Sequence, residues 1–100
     1  MTISVDKNDA TPAVTIKVRG RFDFSAHQEF RQAYESAQDV EEWVVDMTEA
    51  NYLDSSALGM LLLLRDHAGG DSASIRIIGC NKDVKKILTI SNFGQLFKIE

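Results

Sequence analysis

Residues 43–64 constrain the chain more than any other stretch. Trp43, Val44 and Val45 form a short apolar run that suits a buried strand. Residues 46–51 are polar and read as a loop. Asp54 and Ser55 are good helix N-cap residues. From Ala57 onward the sequence is helical and mostly apolar, closing on Arg65, His67 and the pair Gly69-Gly70. Basic residues followed by glycine are the expected stop signal. Ser56 therefore falls in the first turn of a largely buried helix, close to backbone N–H groups that lack helical partners.

A hydroxyl there has two readings. Ser55 and Ser56 can serve as caps and nothing more. A phosphate on Ser56 would instead face the positive end of the helix dipole and unpaired amide donors. Three acids, Asp54, Asp46 and Asp23, are expected nearby, so a phosphoserine would create a sharply negative patch and a charge switch.

The rest of the chain frames this unit. Ile3 and Val5 alternate with polar neighbours, and Val14, Ile16 and Val18 alternate with Thr15, Lys17 and Arg19. Two strands joined as a hairpin are predicted. Ser25 and Gln28 form a capping-box pattern ahead of Ala26, Phe30, Ala33, Tyr34 and Ala37, which share one helical face. Ile75, Ile77 and Ile78 predict a strand ending at Gly79. Asn81 can cap a third helix carrying Val84, Ile87 and Leu88, and residues 96–99 predict a last strand. Alternation of strand and helix after residue 20 predicts an α/β fold with mostly parallel strands, made mixed by the opening hairpin. The order is β-β-α-β-α-β-α-β, with helices packed against the sheet. In such sheets, functional loops gather at the C-terminal ends of strands, which selects Asp23, Asp46 and the segment 54–56.

Asp46-Met47-Thr48, followed by Leu53-Asp54-Ser55-Ser56-Ala57-Leu58, resembles the signature of STAS domains of the anti-sigma factor antagonist family. Gly20-Arg21-Phe22-Asp23 and Phe93-Gly94-Gln95-Leu96-Phe97 resemble two further family segments. Ala57 replaces a common glycine and Met47 a common leucine. The resemblance covers almost the whole chain and implies one STAS domain over residues 1–100. It implies that Ser56 is the phosphoacceptor. It also implies that Arg21, Asp23, Phe24, Asp54, Ser55, Ala57 and Met60 contact the partner, with Ser55 acting mainly as a cap; Asp23, after a strand and before a capped helix, is expected to be exposed. The implied partners are an anti-sigma factor or similar kinase-like regulator, a serine kinase and a serine phosphatase. Many relatives continue into a final helix that is expected to be absent here, leaving an apolar patch near Phe97 and Ile99.

Composition excludes several other classes. A chain of 100 residues is the size of one domain and can bury a core without disulfides. A net charge of −4 argues against a nucleic-acid surface. The single cysteine, Cys80, suits a reducing cytoplasm and reads as a small buried residue. No signal segment is visible at the start, and the run 57–64 is far too short to insert in a membrane. A cytoplasmic protein without cofactor or metal is expected.

An enzyme fits poorly. A serine hydrolase needs a base beside its nucleophile, and only His27 and His67 are available. His67 lies about three turns along the helix from Ser56, at ~1.5 Å per residue, out of reach. The glycines of a nucleophile elbow and of a phosphate loop are missing. The adjacent acids of a receiver domain are missing as well. The remaining alternative, also implied by the resemblance, is a cytoplasmic STAS scaffold subunit of a lipid-transport ABC system.

Overall fold

Alternating valine and isoleucine set the sheet. The computed structural model describes residues 3–8, 12–37 and 39–100. Strand β1 (Ile3–Asn8) pairs antiparallel with β2 (Ala13–Phe22), putting Ile3 opposite Val18 and Val5 opposite Ile16. Helix α1 (His27–Glu35) follows, then β3 (Glu42–Leu53), α2 (Ser55–His67), β4 (Ile75–Ile78), α3 (Lys82–Ile90) and β5 (Lys98–Ile99). The strands lie in chain order, β1-β2-β3-β4-β5, and all pairs after the hairpin are parallel. The predicted element order is thus found.

That simple order decides where the helices go. Each step from β2 to β5 moves the same way across the sheet. Right-handed crossovers then place α1, α2 and α3 on one face. Burial agrees. Val14, Ile16 and Val18 align with Trp43, Val45, Ile75 and Ile77, and all are buried. On the opposite face, Thr15, Lys17, Asp46, Arg76 and Ile78 are only half-buried. A sheet wound in one direction has no topological switch point and hence no crevice of that kind.

Strand β3 departs from expectation. Residues 46–51 were expected as a loop, yet the strand runs on to Leu53. Its pairing with β2 slips twice. Lys17 and Arg19 face Asp46 and Glu49, while Gly20 and Arg21 face Ala50 and Tyr52. Each slip is a bulge that adds one residue to β3. The buried residues Met47, Ala50 and Leu53 therefore recur every third position, and the polar residues between them point outward. Asp46 accepts the Thr48 N–H at 2.9 Å and its hydroxyl at 2.6 Å, across the first bulge. Gly79 completes this corner. Its φ is +73°, and a Cβ there would collide with Thr48.

Two smaller expectations also change. Phe97 is buried and stacks on Phe93 at 5.4 Å, and Ile99 is half-buried against the core. The patch expected to lie open near these residues is thus covered at Phe97 and half-covered at Ile99, while the neighbouring Leu96 is exposed. Leu96 belongs to the turn after Phe93–Gln95, which leaves β5 only two residues long.

Candidate functional site

The site sits where β2 and β3 end side by side. Phe22 pairs with Leu53, so the next residues, Asp23 and Asp54, open two neighbouring loops. Both have extended backbones and both cap the turn that follows. Asp54 Oδ1 accepts the Ala57 N–H at 3.2 Å. The N-cap of α2 is thus Asp54. Ser55, expected to be mainly a cap, is the first helical residue and is exposed. Ser56 is second and half-buried.

Asp23 is held more tightly than an exposed recognition residue would be. Its Oδ1 accepts both the Ser25 N–H, at 3.0 Å, and the Ser25 hydroxyl. Its Oδ2 accepts Arg21 Nε at 3.2 Å, and the side chain is 21% exposed. The Ser25 hydroxyl and amide, then Arg21, hold the Asp23 carboxyl below the usual carboxylate range. The predicted capping box of Ser25 and Gln28 is replaced by this arrangement. The chain enters α1 through a 3-10 turn, Phe24–Ala26, whose second amide, that of Ser25, donates to Asp23. Arg21 also lies 3.9 Å above the Tyr52 ring, so the end of β2 is clamped to the end of β3. Phe24 is 70% exposed and stacks on His27 at 5.5 Å.

A family model described as "Mlab, STAS domain" matches residues 3–98. The chain belongs to the STAS domain family. It is 63% identical, over 87 residues and 86% of each chain, to a STAS-domain containing protein of Pseudomonas aeruginosa strain UCBPP-PA14. Its fold is that of solved anti-sigma factor antagonists. The Mycobacterium paratuberculosis antagonist superposes with a TM-score of 0.82 at 17% identity, over 98% of this chain and 83% of that one. The Bacillus cell fate determinant SpoIIAA in its phosphorylated form gives 0.74 at 16% identity, over 98% and 90%.

Within this STAS domain the expected site residues divide into three groups. Arg21, Asp23, Phe24, Asp54, Ser55 and Ser56 gather at the ends of β2 and β3. Ala57 and Met60 turn inward and are buried, so their side chains cannot form a contact surface. Asp46 is not part of the cluster. It lies on β3 opposite Lys17, and the six residues from Lys17 to Asp23 on the neighbouring strand put it roughly 20 Å away at ~3.3 Å per strand residue. Only two of the three expected acids therefore sit beside the start of α2.

The surface of α2 belongs to residues the sequence reading passed over. Gly59, Leu62 and Leu63 are exposed. Leu63 is 48% exposed and lies about two turns from Ser56 on the same side of the helix. The signal was present: four successive leucines, 61–64, exceed what one face can hold. A helix on a single-sided sheet buries only one stripe, here Ala57, Met60, Leu61 and Leu64.

Base chemistry at Ser56 finds no help from His67. That ring is at the far end of α2, about 16 Å along the axis, packed against Tyr34 at 5.0 Å and Trp43 at 6.1 Å. Among the described residues no cluster of His, Cys, Asp and Glu suits a metal ion, and no helix is long and apolar enough to cross a membrane.

Proposed function

We propose that this STAS domain is a partner-switching regulator controlled by phosphorylation of Ser56. The unphosphorylated form binds an anti-sigma factor or similar kinase-like regulator and so frees what that regulator held. A serine kinase adds the phosphate in the cytoplasm, and a serine phosphatase removes it. The observation that carries this reading is the position of Ser56. It is the second residue of α2, half-buried at the rim, with the Asp23–Phe24 loop beside it and exposed Leu63 below it. The likeness to SpoIIAA, solved also with its phosphate, supports a frame that tolerates the modification.

The physics favours blocked docking over unfolding. A phosphate near the start of α2 gains about 0.3–1 kcal/mol from the dipole. Repulsion from Asp54 and Asp23 opposes that gain and is partly screened by salt. The two effects are comparable, so the fold survives. A partner resting on Phe24 and Leu63 meets a different cost, because it strips water from a group of about −1.5 to −2 charge. Burying such a charge without a counter-charge costs on the order of several kcal/mol. At ~1.4 kcal/mol per tenfold, a cost of about 3 kcal/mol weakens binding roughly a hundredfold.

A pull-down from cell extract with the Ser56→Ala and Ser56→Asp proteins, read by mass spectrometry, tests the proposal. Ser56→Ala should retain a regulator that Ser56→Asp loses. Identical partner sets would refute it. Protein purified from cells with Ser56 always unmodified, alongside transport subunits, would instead favour the lipid-transport scaffold.

A further inference from the structure

Helix α3 carries its charges the wrong way round. Lys82, Lys85 and Lys86 stand in its first half, and its last turn holds no basic residue. Cations near a helix N-terminus meet the positive end of the dipole. Lys82 also neighbours Lys85 at i+3 and Lys86 at i+4, where like charges repel. Helix α1 shows the ordinary arrangement, with Glu29 in its first turn and Arg31 paired to Glu35 four residues on.

Nothing inside the fold compensates these lysines. Every arginine of the chain, Arg19, Arg21, Arg31, Arg65 and Arg76, forms an ion pair. Among the described residues Lys82, Lys85 and Lys86 form none, although Asp83 lies in the same turn. All three are exposed, while Val84 and Leu88 bury the other side of the helix. Ile90 continues the row of Lys82 and Lys86 at the next i+4 step and is 71% exposed. On the other flank, a hollow of about 310 Å³ is lined by Lys85, Thr89, Asn92, Gly94, Gln95 and Ile99, and by no acidic residue among those described. Its ammonium and side-chain amides are donors that suit a carboxylate.

We infer that the outer face of α3 binds an acidic segment of a partner protein, which sets carboxylates on Lys82, Lys85 and Lys86 and an apolar side chain on Ile90. A charge arrangement that costs local stability and has no partner inside the fold is completed from outside. The row from Lys82 to Ile90 is roughly 12 Å long at ~1.5 Å per residue. That length suits a short protein segment. A nucleic acid or an anionic membrane extends well beyond it and meets the acids of a chain whose net charge is −4. The face shares no residue with the Ser56 cluster, so the inference stands apart from phosphorylation.

A phage library of random peptides, each ~12 residues so that a helical peptide can span the face, panned on the full chain tests it. Enriched sequences should combine Asp or Glu with an apolar residue. Titrated into ¹⁵N-labelled protein, they should shift the amides of residues 82–95 saturably. Lys86→Ala should weaken binding about threefold, the size of one exposed ion pair. Ile90→Ser should weaken it by about tenfold, as loss of an apolar contact does. Lys82→Glu should also weaken it by about tenfold, yet melt no lower than the native chain, because it puts an acid in the first turn and opposite Lys86. The inference is overturned by a library with no enrichment, or by enriched peptides without an acidic residue. It is overturned as well by binding that Lys82→Glu leaves intact, or by a Lys82→Glu chain that melts lower, since the lysine then serves the fold. Phosphatidylglycerol vesicles or a DNA duplex that shift these amides when no peptide does would give the face to a polyanion instead. Shifts that track protein concentration alone would give it to a second copy, and either result sinks the inference.

Discussion

Asp23 and Asp54 perform the same task one strand apart. Each follows a member of the Phe22–Leu53 pair, and each accepts a free amide from the turn it opens, that of Ser25 and that of Ala57. The rim around Ser56 is therefore built by two capping carboxylates on paired strands.

Asp54→Ala should cost about 0.5–2 kcal/mol, because the amide of Ala57 loses its acceptor at the start of α2. Thermal unfolding followed at 222 nm checks this, and Asp54→Asn should retain most of the stability. An unchanged midpoint for the alanine variant would mean that the cap contributes nothing.

Asp23 predicts a pH dependence with a fixed sign. Its folded carboxyl is held below the ordinary value of 3.8, so its contribution is fully present above that value. It is lost as pH falls through the lowered folded value. The midpoint difference between the native chain and Asp23→Asn should therefore be constant near neutrality and shrink below pH 3.8. A difference that grows on acidification contradicts the assignment.

Gly79→Ala should destabilise the fold by about 1–3 kcal/mol, since it combines a left-handed backbone with a collision at Thr48. Thr48→Ala in the same chain should restore part of the loss, the part due to collision with the side chain. Chemical denaturation of the two single variants and the double variant measures the coupling. Strict additivity would remove Thr48 from the explanation.

Ser56→Ala should abolish labelling by the cognate serine kinase, while Ser55→Ala should leave it measurable. Leu63→Lys should keep the unfolding free energy within about 0.5 kcal/mol of the native value, as an exposed change does. It should weaken capture of the regulator by roughly tenfold or more, as loss of an interface anchor does. Phosphorylated chain should keep its circular-dichroism spectrum and lose the regulator in calorimetry. A phosphorylated chain that melts several degrees lower and loses helix signal would make the switch one of local unfolding.

Much of this was legible in the residues. The hairpin followed from alternation in Ile3, Val5, Val14, Ile16 and Val18. Asn81 announced α3 and does cap it, accepting the Val84 N–H at 2.8 Å. The start of α2 was legible to within a residue, though Asp54 and not Ser55 holds the cap. The end of β3 was not, because two bulges replace a period of two by a period of three. That misreading carried Asp46 into a cluster it does not join. Ala57 and Met60 were misjudged for another reason. An apolar helix shows no faces in its sequence, and only the sheet beneath it decides which residues are covered.

The bulges leave β3 with slack. Removing one residue from 43–47 would turn every later side chain over and expel the core. Removing one from 51–52 would restore plain alternation between Ala50 and Leu53 and keep both inside. A single deletion is thus tolerable at the second bulge and strongly destabilising a few residues earlier. A deletion at the second bulge would leave Leu53 opposite Phe22, and with it Asp54 and the start of α2 in place.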